Sequence, residues 1–273
     1  MYKALENSLF VKDRERYDLI HKQANSFNSN YTGSNIIQDD IFHIVENYVL
    51  QHDMRMEMLR YRLGDDDLCA CTFIRGGRVF VVINTDMPLS KQIFAAAHEL
   101  YHLYNYFEGY DSSHRKRLSI LDAATMDEET TRLEDMEANA FAGAILAPGI
   151  SIREQMGIFQ IRSNSVKIKE ILMLMEIYAI PFKAMVLRLF EEEIIDEEQV
   201  RELFRNTEND ILRQSKLTGR AVRWQRKTAD EFTAGSLNEN MERVAELDAV
   251  QEERYRRDMD ILNEIKDAIQ KNK

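Results

Sequence analysis

The sequence predicts an α+β fold: a small, mostly antiparallel sheet toward the N-terminus, followed by a helical body. Three observations lead there. Residues 54–58, Met-Arg-Met-Glu-Met, alternate strictly between apolar and charged, the period of a half-buried strand. The apolar runs at 69–74 and 78–84 flank Gly76-Gly77, a pair that tolerates the positive φ angles of a hairpin turn. Beyond Pro88 the apolar residues recur at helical spacing.

Taken in order, residues 3–26 mix apolar and charged residues in a helical manner, and the polar stretch over 26–35 reads as a loop. Asp39 or Asp40 offers a cap for a short helix through Ile41, Ile44, Val45 and Tyr48. The strands follow, with Asp65-Asp66-Asp67 as a turn between the first two. Ser90 is the expected N-cap of a helix over 91–107, with Gly109 just past its end. An irregular polar stretch then leads to a second helix over 132–146, which stops before Pro148. Helical patterns return at 165–178, 182–192 and 197–205, and again in the C-terminal third. All three prolines, Pro88, Pro148 and Pro181, sit at element boundaries, where a missing N–H does least harm. The expected units are 1–150, 151–205 and 206–273: a main domain with its N-terminal helix, a helix-turn-helix-like segment, and a helical extension.

A chain of 273 residues with 44% hydrophobic and 30% charged residues buries a useful core without staples. Its two cysteines, Cys69 and Cys71, stand one residue apart in a strand. A bridge between them would close a small, strained ring, so free thiols in a reducing compartment are expected. The first twenty residues lack the apolar stretch of a secretory signal, and no segment has the roughly eighteen apolar residues of a membrane span. The expected location is cytoplasmic. A net charge of −11 argues against the whole molecule gripping nucleic acid.

The chemistry gathers at His98-Glu99-Leu100-Tyr101-His102, an H-E-x-x-H motif inside the first long helix. A spacing of four puts both imidazoles on one face, a turn apart, within reach of one ion. Glu99 is rotated off that face by about 100° and is placed to act as general base instead of ligand. A catalytic zinc takes three protein ligands and keeps a fourth position open. The third is expected from the second helix, where Glu137 is the first choice and Glu134 the alternative. Ala138, Ala140, Ala142 and Gly143 make that helix slim enough to pack closely. His114 is a weaker candidate, twelve residues after His102.

The runs VVIN at 81–84, FAAAHELYH at 94–102 and EANAFAGAILAP at 137–148 together resemble the ImmA/IrrE-type metallopeptidases, from about residue 36 to 150. PFKAMVLRLFEEEII at 181–195 resembles the helical segment that follows the core in that family. The resemblance implies a zincin-like core, zinc held by His98, His102 and Glu137, and Glu99 as catalytic base. It also implies a regulatory role, the cleavage or release of a helix-turn-helix repressor in stress response or mobile-element control. The alternative is a non-catalytic module that sequesters such a partner by contact. One departure is specific: Tyr101 stands where the family commonly has glycine, and so large a side chain must pack somewhere.

Other features read as structural. In the helix-turn-helix-like segment 165–205 the second helix carries Lys183 and Arg188 but then three glutamates, which repel phosphate. Residues 213–227 hold six basic residues and no acid; pairing with the chain's own acidic stretch 191–198 is favoured over a nucleic-acid surface. Tyr255, Met259, Leu262, Ile265 and Ile269 form an apolar stripe that covers the body or pairs with a second chain. Tyr101, Tyr104 and His114 are the candidates for a transition-state donor. Manganese or iron is the alternative to zinc at a two-histidine, one-carboxylate site.

Overall fold

The computed structural model describes residues 3–65, 68–108, 128–163, 165–246 and 252–271. Helices α1 (Lys3–Glu6), α2 (Leu9–Lys12) and α3 (Arg14–Phe27) open the chain, and the Asp13 side chain caps α3 by accepting the Arg16 amide at 3.0 Å. The stretch expected as a loop forms a π-helical turn, Asn28–Thr32, closed by Gly33 at φ 64°. Helix α4 (Ile41–Gln51) follows a 3-10 turn; Asp40 precedes it but makes no side-chain cap.

The sheet is mixed, which corrects the mostly antiparallel expectation. Strands β2 (Ala70–Arg75) and β3 (Arg78–Asn84) form the hairpin, with Gly76 and Gly77 at φ 58° and 73° in its turn. Strand β1 (Arg55–Tyr61), however, lies parallel to β3, from Arg55↔Arg78 to Tyr61↔Asn84, and this is the longest ladder. A short β4 (Thr233–Ala234) runs antiparallel along the far side of β1, giving the order β2-β3-β1-β4. The reason is burial. β3 carries Val79, Val81, Val82 and Ile83, all 5% exposed or less, so it takes a central place. The connection after β1 is long enough to carry the chain past it. Asn84, fully buried, pins that connection: its amide donates to Asp65 and Leu68 carbonyls (2.8 and 2.9 Å) and its oxygen accepts the Leu63 and Asp86 amides. Of the acidic turn, Asp66 and Asp67 lie outside the described residues.

Helix α5 (Leu89–Glu108) begins two residues earlier than an N-cap at Ser90 implied. The Pro88 carbonyl receives the Lys91 and Gln92 amides, so Ser90 sits inside the first turn, buried. Helix α6 (Glu128–Leu146) packs against it, then α7 (Gly149–Ile158), α8 (Ile168–Tyr178), α9 (Phe182–Glu191), α10 (Glu197–Leu203), α11 (Glu208–Thr218) and α12 (Val222–Gln225). Helices α13 (Leu237–Glu246) and α14 (Glu252–Lys271) end the chain. One apolar core runs from Leu5 to Trp224. Phe27, Tyr48, Tyr104 and Phe141 cluster within it, mostly edge to face, joining α3, α4, α5 and α6.

Two basic features make contacts within the fold. Arg188 of α9 is 1% exposed and bonds inward. In 213–227, Arg223 pairs with Asp39 and Lys227 with Asp86, while Trp224 is buried with its indole N–H on the Glu176 carbonyl. The acidic partners are therefore not those of 191–198, because Arg188 already occupies Glu191 and Glu192. No described helix is long and apolar enough to cross a membrane. Cys69 and Cys71 form no disulfide.

Candidate metal centre

Helix α5 packs on β2, β3 and α6, with Ala95, Ala96 and Ala97 buried, and His98 and His102 reach side chains of α6. The two Nε2 atoms face each other at 3.2 Å. Each Nδ1 has its own acceptor: Asn139 Oδ1 for His98 at 3.1 Å, Glu134 Oε1 for His102 at 3.2 Å. With Nδ1–H donating, both Nε2 lone pairs are free and aimed at a common point. Nitrogens bound at about 2.0–2.1 Å to one tetrahedral ion stand roughly 3.3 Å apart, so the observed separation suits two vertices of such a site. Asp135 supplies a carboxylate oxygen 3.7 Å from His98 Nε2, and the three ligand atoms lie within 4.8 Å of one another. Burial works against a charge on His98, yet Asp135, the Glu99 charge and Asn139 outweigh it, and the imidazole pKa lies above its ordinary value. The residues present fit a metal ion.

The carboxylate beside the histidines is not the one the sequence singled out. Asp135 and Asn139, four apart on α6, share the face turned to His98; Glu137 is two positions on, about 200° around the helix. Glu137 is 5% exposed and accepts hydrogen bonds from Tyr101 Oη (2.8 Å) and the Arg16 guanidinium. Glu134, the alternative, reaches the pair only at the Nδ1 of His102. Sequence reasoning missed Asp135, Asn139 and Arg16. The four-residue spacing of Asp135 and Asn139 is a signal that could have found the first two.

Glu99, 8% exposed, takes no hydrogen bond from any described residue. Its charge is felt by His98 and by Cys71 of β2, whose thiol is raised by burial and then by Glu99. Glu99 is therefore within electrostatic reach of both His98 and β2, a strand with a neighbour on one side only among the described residues. Among the donor candidates, the Tyr101 hydroxyl is committed to Glu137 and Tyr104 packs in the aromatic cluster. His114 lies outside the described residues.

Two helix-borne imidazoles and a facing carboxylate form a group that could hold a metal ion, with a second acid, Glu99, on the histidines' helix. Residues 47–190, more than half of the chain, match the peptidase M78 family, described as the IrrE N-terminal-like domain. The protein belongs to that family, which points to a metallopeptidase. Comparison with curated proteins finds no match.

Proposed function

We propose that the protein is a zinc-dependent endopeptidase whose ion is held by His98, His102 and Asp135, with Glu99 as general base. The observation that carries this is the pair of Nε2 atoms 3.2 Å apart with both Nδ1 atoms already engaged. A bound zinc would polarise a peptide carbonyl and make water a competent nucleophile near neutral pH. Glu99, within electrostatic reach of His98 and with no hydrogen-bond partner among the described residues, would take the proton and pass it to the departing amine. An extended substrate segment could pair with the outer side of β2, which has no strand partner among the described residues. Ligand chemistry favours zinc, and manganese or iron would suit the same donors.

The substrate we propose is a protein regulator of the helix-turn-helix kind, met in the cytoplasm, as the sequence resemblance suggests. The test uses purified full-length protein loaded with zinc and a panel of such regulators. Glu99→Gln should keep about one zinc per chain, as a three-ligand site holds, and lose cleavage by at least a hundredfold, the usual worth of a general base. Equal regulatory output from Glu99→Gln and wild type would point instead to sequestration by contact.

A further inference from the structure

The Arg16–Glu137–Tyr101 contact joins three elements at the level of the candidate centre, and the proposed function leaves it unused. Tyr101 lies on α5 between His98 and His102 in sequence; Glu137 lies on α6 between Asp135 and Asn139; Arg16 comes from α3, outside the family-matched residues. The Glu137 side chain is 6% exposed, whereas Arg16 is 45% exposed and reaches in from the surface. Tyr101 is 2% exposed and packs against Phe141 and His102. Its hydroxyl donates to Glu137 Oε2 at 2.8 Å.

We infer that Arg16 and Tyr101 form a latch on Glu137 that fixes the rotation of α6, and that Arg16, Tyr101 and Glu137 are positioning residues for the metal ligands. This rests on the metal-centre reading above. The reason is geometric. Three contacts depend on how α6 is turned: Asp135 to His98 at 3.7 Å, Glu134 to His102 at 3.2 Å and Asn139 to His98 at 3.1 Å. A metal centre tolerates only about half an ångström and 10–20° of error in its supporting shell. Glu137 sits on the opposite side of α6 from Asp135, so a bond there resists rotation in either sense. A carboxylate this buried needs a counter-charge and a full set of donors. Without Arg16 the carboxylate would lose its counter-charge and swing toward solvent, and Tyr101 would lose its fixed acceptor. The bulky residue at 101 is thus matched by a carboxylate at 137 and an arginine at 16. The N-terminal helix becomes part of the centre without touching the ion.

The latch is tested on the full-length chain by zinc affinity, read by competition with a chromophoric chelator, alongside melting of the metal-free protein. Arg16→Ala and Tyr101→Phe should each weaken zinc about tenfold, in line with outer-shell support of a metal ligand, while still binding one zinc at saturation. Tyr101→Phe keeps the ring packing, so its effect isolates the hydroxyl. Arg16→Lys should recover most of the loss. The double variant should lose little more than either single one, because both act on one carboxylate. Unchanged affinity in both single variants, with or without a lower melting temperature, would overturn the latch, as would losses that simply add. The underlying reading fails separately: His98→Ala binding zinc as wild type does, or wild type binding none, removes the centre and the latch with it.

Discussion

Around α6 the acids take different roles according to where 100° steps point them. Asp135 is half exposed, at the mouth of the site; Glu134 is mostly covered, behind His102; Glu137 is buried on the far side against Arg16. Removal of each should therefore have its own signature in metal analysis. Asp135→Ala should drop zinc from about one per chain to a small fraction, because a two-histidine site lacks the third ligand that a catalytic zinc requires. Glu134→Gln should retain stoichiometry with affinity lowered about 10–100-fold, as for a group that orients a ligand histidine. Glu137→Gln should retain stoichiometry as well, and a loss of the metal equal to that of Asp135→Ala would return Glu137 to the ligand set. The histidine pair was legible in the sequence because its spacing is local and one helix dictates the geometry. The third carboxylate was not. Three acids fall within four positions of α6, and the one that faces the histidines depends on the rotation of that helix, set in part by an arginine 121 residues away.

At the scale of elements, α9 is held to the body by a buried arginine. Arg188 donates to Tyr17 Oη (2.9 Å), Glu191 (2.8 Å), Glu192 (2.7 Å) and the Ala147 carbonyl, so α3, α6's C-terminal end and α9 meet on one guanidinium. The room for its stem is made by Gly143, where an added Cβ would lie 2.7 Å from Arg188 Cδ. Arg188 is fully buried and bonded at its tip, so it has little freedom to yield. Gly143→Ala should destabilise by about 1–3 kcal/mol through overpacking, visible as a melting temperature several degrees lower. Gly157 in α7 is the matching control: nothing lies within 4 Å of a Cβ there. Gly157→Ala should be neutral or stabilising by up to about 1 kcal/mol, as alanine is the better helix former. Two equal outcomes would show that Arg188 adapts and that the glycine is not a packing requirement. The helix at 182–191 was readable from its periodicity and from Pro181. That its arginine points inward was not, since charge alone suggests a surface residue, and one of its hydrogen-bond partners, Tyr17, comes from α3. The hairpin was likewise readable from Gly76-Gly77, while the parallel placement of β1 depends on which strand is most apolar across the whole sheet.

Across the whole molecule, the chain beyond the family-matched residues returns to the sheet and seals one of its edges. β4 pairs with Leu59 and Arg60 of β1, the Arg226 carbonyl accepts the Leu89 amide at the start of α5, and Thr228 binds both Thr85 and the buried Gln92. Among the described residues, β2 has no strand on its outer side. Two carboxylates anchor the returning segment. Glu57 accepts the Ser236 amide and hydroxyl (2.7 and 2.6 Å) and Arg78; Asp86 accepts Lys227 and Arg62, each at 3.0 Å. Burial pushes both acids upward, but these donors prevail and both pKa values lie below the ordinary 4.5 and 3.8. A carboxyl lowered by folding contributes stability that is complete above its ordinary pKa and is lost as pH falls through the lower folded value. Acid should therefore loosen residues 226–236 before it melts the core. Amide hydrogen exchange, corrected for its intrinsic pH dependence, should show protection at Thr228 falling between about pH 5 and pH 3, while that of β3 holds. Glu57→Gln should reduce the pH-dependent part, because a neutral amide keeps some hydrogen bonds but cannot titrate. Protection that falls together in both regions would mean that this segment is no separate unit and that its two acids anchor the fold as a whole.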